Sequence, residues 1–193
     1  MRTESSCAPR GSSRRPPIEM KNYLRLTRKI DLFAEEMRRR HPDGIRCRPG
    51  CSECCVPNIM VWRIEFDRIR DYLASHPLPK KGENRSRLSS ERCAFLDGGG
   101  RCAIYEARPL VCRLFGLPQL CDGATRCCEM NFTGDEGLAD LPSSDVVNLD
   151  TVLSTLAAIN HVYCREAGLD PEERLPIEKA GLSKRRGALK HSR

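Results

Sequence analysis

Ten of the twelve cysteines in this 193-residue chain fall between Cys47 and Cys128, and they begin with the run Cys47-x3-Cys51-x2-Cys54-Cys55. Thiols gathered at turn-sized spacings serve two common purposes: disulfides in secreted proteins, or metal thiolates inside cells. Either use dictates which distant segments must meet, so the choice constrains the fold more than any other feature. The first twenty residues are polar and basic and lack the apolar core of a secretory signal. No run approaches the roughly 18 apolar residues of a membrane helix. The expected location is the cytoplasm, with no membrane partner. Thiols are kept reduced there, and a dense cysteine group is expected to bind metal.

Hydrophobic residues make up 39% of the chain, but that figure includes the cysteines, and only 5% of residues are aromatic. The ordinary core is therefore modest. A metal centre is expected to make up part of the difference, because ligands that meet only in the folded state stabilise that state. The net charge of +7 is unevenly spread. Residues 1–46 carry 12 Lys/Arg against 6 Asp/Glu, residues 47–128 carry 13 against 9, and residues 129–193 carry 8 against 11. Basic groups around the cysteines offset thiolate charge locally. They do not by themselves announce a nucleic-acid partner, and the scarcity of aromatic residues points away from one.

The chain reads as one domain over residues 17–168, with a motif core at 47–128, a disordered tail at 1–16 and a basic, flexible tail at 169–193. Leu26, Ile30, Phe33 and Met37 repeat at helical spacing, predicting a helix over 17–41 that ends at His41-Pro42-Asp43-Gly44. Arg38, Arg39 and Arg40 fall in its last turn, where the helix dipole favours cations. A short strand is expected over 58–61. Trp62, Phe66, Ile69 and Leu73 then predict a helix over 63–75, followed by a flexible loop over 80–92.

Residues 93–105 read as a hairpin that pairs Leu96 with Arg101 and sets Phe95 opposite Cys102. Cys93 and Cys102 would then share a face. A third helix is expected over 144–167, with Leu149, Leu153, Leu156, Asn160 and Tyr163 along its stripe and Gly168 as its cap. The expected fold is an α-rich α+β domain: a small cysteine-ligated metal unit with a short β-hairpin packed among about three helices.

Thiolates are soft ligands that favour zinc, copper(I) and iron–sulfur centres. Cys51-x2-Cys54 forms one ligand knuckle, the Cys93/Cys102 hairpin supplies a partner, and Cys112 and Cys121 follow from the next turns. Side chains of neighbouring residues diverge in extended structure, so Cys54-Cys55 and Cys127-Cys128 point to two metals or a multinuclear cluster. Cys47-x3-Cys51-x2-Cys54 also has the spacing of the cluster-binding loop in radical S-adenosylmethionine enzymes. The alternating strand–helix pattern of their barrel is absent from this sequence. Pro109 favours a first helical turn that aims Cys112. Arg108 and Arg113 are expected to donate to thiolates or neutralise the cluster, with a surface carboxylate such as Glu106 as the competing partner.

The run Cys-x3-Cys-x2-Cys-Cys is followed by Cys93-Ala-Phe-Leu-Asp97 and by Cys102-Ala-Ile-Tyr105-Glu-Ala-Arg108-Pro109-Leu-Val-Cys112-Arg113. This combination resembles the YkgJ-type cysteine-cluster family, small bacterial proteins described as zinc- or iron-chelating or iron–sulfur domains. The likeness runs from Cys47 to Phe115 and takes in the helix that carries Glu65. It implies that Cys47, Cys51, Cys54, Cys55, Cys93, Cys102 and Cys112 are metal ligands, with Cys121 as an addition. Cys127 and Cys128 lie beyond it. The implied cofactor is zinc or iron, including an iron–sulfur centre, and the implied role is redox or metal handling.

Flagellin lysine-N-methylases carry a similar cluster, which makes an enzyme of protein-lysine methylation an alternative. The chain shows no methyl-donor motif. A further alternative is a zinc-stabilised interaction module. Cys7 reads as an exposed thiol, Cys164 as a buried small residue, and the four histidines as surface or capping groups. Asn131-Phe132-Thr133 has the form of a glycosylation sequon, which carries meaning only in a secreted chain.

Overall fold

A computed structural model describes residues 17–48, 50–78, 91–133 and 137–181. The expected tail at 1–16, residues 80–90 of the expected loop and the last twelve residues lie outside the described residues.

Helix α1 spans Ile18–Arg40, with Glu19 in its first turn and Arg38, Arg39 and Arg40 in its last, as the dipole favours. Its buried line runs through Tyr23, Thr27, Ile30, Ala34 and Met37, while Leu26 and Phe33 are half-buried beside it. Packing therefore centres one row away from the largest side chains, where the smaller Thr27 and Ala34 sit on the inward face. Helix α1 rests on two later helices, α3 (Leu110–Leu114) and α4 (Leu149–Ala167).

Strand β1 (Met60–Trp62) runs directly into helix α2 (Arg63–Ser75). Asn148 caps α4 by accepting from Thr151 N at 2.9 Å, and Gly168 ends it in the left-handed region at φ 66°. Helix α4 starts at Leu149 rather than 144, because residues 143–145 form a 3-10 turn and Val147–Asn148 a short strand, β4. Leu153, expected inward, is 43% exposed, and the buried line of α4 is Leu156, Asn160 and Cys164.

Two corrections concern the chain's smaller pieces. Residues 174–181, expected within a flexible tail, are packed. Strand β5 (Arg174–Pro176) pairs antiparallel with β1, and Ile177 and Ala180 enter the core. The Arg174 guanidinium lies 3.1 Å above the centre of the Trp62 ring, a cation–π contact that holds the pair. The segment 93–105 is not a ladder hairpin. It makes a single bridge between Leu96 and Cys102, one residue from the expected register, with Asp97 N donating to Arg101 O at 2.8 Å. Its glycine-rich turn folds over Asp97, whose side chain accepts from Gly99 N and Arg101 N.

The hairpin proper lies later. Strands β2 (Gln119–Cys121) and β3 (Ala124–Arg126) are joined by Asp122 and Gly123 at φ 51° and 76°, the backbone a two-residue turn requires. Strand β2 also pairs in parallel with β4, giving the order β3-β2-β4. Among the described residues the result is a small α+β fold of four α-helices and short strands.

Two apolar cores result. The larger joins α1, α3 and α4 through Tyr23, Met37, Ile64, Leu110, Leu114 and Leu156. The smaller joins α2, the 93–107 segment and residues 177–180 through Val61, Ile69, Phe95, Leu96 and Ile104. Asn160, fully buried, connects elements around the larger core: Oδ1 accepts from Ile64 N at 3.1 Å and Nδ2 donates to Pro171 O at 2.9 Å. Among the described residues, no helix is long and apolar enough to cross a membrane.

Candidate metal centre

The eleven described cysteines are all free thiols. Cys51, Cys54 and Cys55 occupy a turn closed by Cys55 N donating to Ser52 O at 3.0 Å. Within that turn the two adjacent thiols act on each other's ionisation: the neighbouring Cys55 thiol takes Cys54 down to about 6, while Cys54 in turn raises Cys55.

The turn at 51–55 meets the 93–102 segment in two places. Cys93 N donates to Cys55 O at 2.9 Å. Gly100, at φ 75°, lies against Ser52, and a Cβ there would sit 3.4 Å from Ser52 Oγ. Pro109 precedes α3 and Cys112 lies within that helix, which begins where expected. Burial is the first cause and the thiols of Cys93, Cys102 and Cys54 the next, and together they push Cys112 up to about 12. Burial likewise raises Cys93 and Cys102, and the charge of Arg108 opposes it at Cys102. Cys54, Cys55, Cys93, Cys102 and Cys112 therefore form one group of mutually repelling thiols, with Cys55, Cys93 and Cys102 packed on the smaller core.

Cys47 belongs elsewhere. It packs against the larger core together with Cys127. Burial raises Cys47, a hydrogen bond from Asn131 opposes the shift, and the charges of Cys51, Cys128 and Cys54 add to it. Cys127 is raised by burial and by Cys128 and Cys47. Cys54 is the thiol common to both groups, since it bears on Cys47 and on Cys112. Cys121 stands apart at the end of β2, with its Sγ 3.6 Å from Asp122 Oδ2. After burial, the groups that act on it are Asp122, Asp150 and Arg126. Cys164 is buried on α4, 3.6 Å from Asn160 Oδ1.

The two arginines differ. Arg113 donates to Asp31 of α1, to Arg108 O at 3.0 Å and to Glu106 O at 2.8 Å, so its guanidinium ties α3 to α1. Arg108 reaches Asp31 at 3.2 Å and stacks 3.8 Å above the Tyr105 ring. Its Nε is buried with no hydrogen-bond partner among the described residues, and its charge favours the thiolates of Cys54 and Cys102. The carboxylate facing both arginines is Asp31 rather than Glu106.

Three residues that matter to the site carried little signal in the sequence. Glu65, 3% exposed, accepts from Trp62 N at 3.1 Å and Leu110 N at 2.8 Å, joining the starts of α2 and α3. Asn131, also 3% exposed, accepts from Arg46 N at 2.9 Å and donates to Gly116 O at 2.5 Å and to Cys47 Sγ at 3.5 Å. Gly116 faces Cys47 so closely that a Cβ would collide with Sγ. Its place directly after α3 is the only hint a sequence offers.

No three Cys, His, Asp or Glu side chains among the described residues already stand at coordinating positions. The thiols form neighbourhoods rather than a closed shell. A cavity of about 450 Å³ lies beside Met60, Trp62, Glu65, Val111, Leu153 and Arg174, and its lining contains no cysteine.

Residues 46–119 match the family model CxxCxxCC, described as a putative zinc- or iron-chelating domain. No curated protein and no solved structure matches the chain.

Proposed function

We propose that the protein, whose residues 46–119 match the family model of a zinc- or iron-chelating domain, holds zinc or iron through thiolates of Cys54, Cys55, Cys93, Cys102 and Cys112. The supporting observation is the grouping of these five thiols from three separate stretches of chain, where burial and mutual repulsion raise Cys112 to about 12. Thiols so placed resist ionising together unless a cation joins them. A soft divalent metal supplies that charge and draws the protons off.

The donor set fits such a metal in two ways. It is made of sulfur, and the buried Nε of Arg108 offers a donor to a ligand sulfur. When bound, the metal cross-links the 51–55 turn, the 93–102 segment and α3. Fully thiolate-ligated zinc gives a closed, structural centre. Iron with sulfide gives a redox centre whose potential is raised by the nearby Arg108 charge.

Anaerobic purification followed by metal, acid-labile sulfide and optical analysis tests the reading. Stoichiometric zinc or iron is expected, and sulfide with broad visible absorption identifies a cluster. A protein that takes up neither metal, or that pairs these cysteines as disulfides, overturns it.

A further inference from the structure

We propose that the cavity bordered by the β1–β5 pair, α3 and α4 binds a small organic acid with an apolar body, whose carboxylate is taken by Arg174. No cysteine lines this cavity, so the inference stands apart from the chelation reading and neither falls with the other.

The cavity follows from the alternation of a short strand. Val61 packs into the smaller core, so Met60 and Trp62 face the other way. Trp62 and Arg174 are direct partners across the strand pair and share that face. Val111 of α3 borders the same space, as do Leu153 and Ala157 of α4, which stand four residues apart on one helix face. At about 450 Å³ the space falls within the range of small-molecule sites, roughly 300–1,000 Å³.

Three elements leave a large apolar side chain uncovered at this one place. Met60, Val111 and Leu153 are all exposed, and all three line the cavity. Exposed apolar residues scattered singly are ordinary, but several around one concavity mark a binding surface.

The polar groups define what the apolar body must carry. The Arg174 guanidinium rests on the Trp62 ring, and among the described residues no carboxylate pairs with it. The neighbouring acids are engaged elsewhere or act through charge alone. Glu65 accepts from Trp62 N and Leu110 N, Glu173 pairs with Arg63 at 3.7 Å, and Glu172 bears on Arg174 only by its charge. The guanidinium fork therefore keeps its donors for an acceptor from outside, and a planar carboxylate matches it with two parallel bonds. Burial draws Arg174 below its ordinary value against the charges of Glu65 and Glu172, and a partly desolvated cation gains more from an anion than one in bulk water. Burial also raises the Glu65 carboxyl, which lessens its repulsion of an entering anion.

Trp62 is the single tryptophan of the chain, so its fluorescence reports on this cavity. The full chain, kept anaerobic and reduced, is titrated with octanoate, octan-1-ol and butyrate. Octanoate should shift Trp62 emission saturably at one equivalent. Octan-1-ol has the same apolar body without the charge, and should bind about tenfold more weakly, the factor set by one charge-assisted pair. Butyrate has the charge on a shorter body and should also bind about tenfold more weakly. Arg174→Gln should bring octanoate down to the level of octan-1-ol. Leu153→Glu sets a carboxylate on an exposed position at the cavity's edge, and should weaken octanoate similarly while the far-UV circular dichroism stays that of wild type. This second variant keeps the test open should Arg174→Gln loosen β5. Octanoate that leaves Trp62 emission unchanged overturns the proposal. So does octan-1-ol binding as tightly as octanoate, which removes the role of Arg174. Octanoate binding equally well to Leu153→Glu overturns it too, because the acid then sits elsewhere.

Discussion

Replacing Asn131 with alanine removes the side chain that spans the most distant parts of the site. Three hydrogen bonds disappear, to Arg46 N, Gly116 O and Cys47 Sγ. The thiol bond at 3.5 Å is the weakest of them. The two backbone groups matter more, because a buried polar group left without a partner costs about 1–3 kcal/mol. Arg46 is exposed, so its N–H can turn toward water and belongs at the low end of that range. A total near 2–3 kcal/mol follows. For a domain of this size each kcal/mol moves Tm by roughly 2–4 °C, so Asn131→Ala should melt about 5–10 °C below wild type. The assay is thermal unfolding followed by far-UV circular dichroism under anaerobic, reducing conditions, with and without zinc. A second variant sharpens the test. Asn131→Asp keeps the acceptor for Arg46 N, loses both donors and sets a negative charge beside Cys47, so Cys47 should alkylate more slowly than in wild type. A Tm within about 1 °C of wild type for Asn131→Ala would refute the linking role.

Gly116→Ala forces a methyl group into Cys47 Sγ. Overpacking of this kind costs about 1–3 kcal/mol, and the variant should give up zinc to a chelator sooner than wild type. Asn160→Ala orphans Ile64 N and Pro171 O in the interior, so urea unfolding should show a loss of about 2–4 kcal/mol. Asp145 is 2% exposed; burial pulls its carboxyl up, but His41, Ser144 and the Arg40 charge together outweigh it and hold it below the usual range. Its folded value is depressed, so its stabilisation is present above the unfolded value near about 4 and is lost as pH falls through the folded value. Asp145→Asn should therefore flatten the decline in stability between pH 5 and 2, measured by urea unfolding at stepped pH. Parallel curves for the two proteins would contradict this assignment.

The helices were legible because periodicity reports directly on burial. Arg63–Ser75 follows from Trp62, Ile69 and their spacing, and Ile18–Arg40 from its stripe and its breakers. The inward row of α1 was misplaced by one position because spacing favours large residues, whereas close helix contact favoured Thr27 and Ala34. The bridge between Leu96 and Cys102 escaped for a related reason. Asp97 folds the glycine turn over its own carboxylate, which moves the register by one.

Strand β5 depends on a partner more than 100 residues away, and nothing in residues 174–176 alone declares it. At the site, the backbone bond from Cys55 N to Ser52 O bends residues 51–55 into a turn that the cysteine spacing alone does not specify. Cysteine spacing marks candidates but not their grouping. It offered Cys121 as a ligand following Cys112; in the fold Cys121 ends β2 with its Sγ near Asp122. It paired Cys127 with Cys128 but left its surroundings open; its thiol lies against the same asparagine that bonds Cys47.

X-ray absorption at the metal edge of the anaerobically purified protein is the most direct test of thiolate chelation. Metal–sulfur scattering at about 2.3 Å, with little or no contribution from shorter nitrogen or oxygen neighbours at about 2.0–2.1 Å, is the result expected of a zinc-loaded chain. Iron would show the same dominance of sulfur, with a metal–metal distance when a cluster is present. A spectrum dominated by nitrogen or oxygen neighbours would contradict the account, because the metal would then sit away from the cysteines.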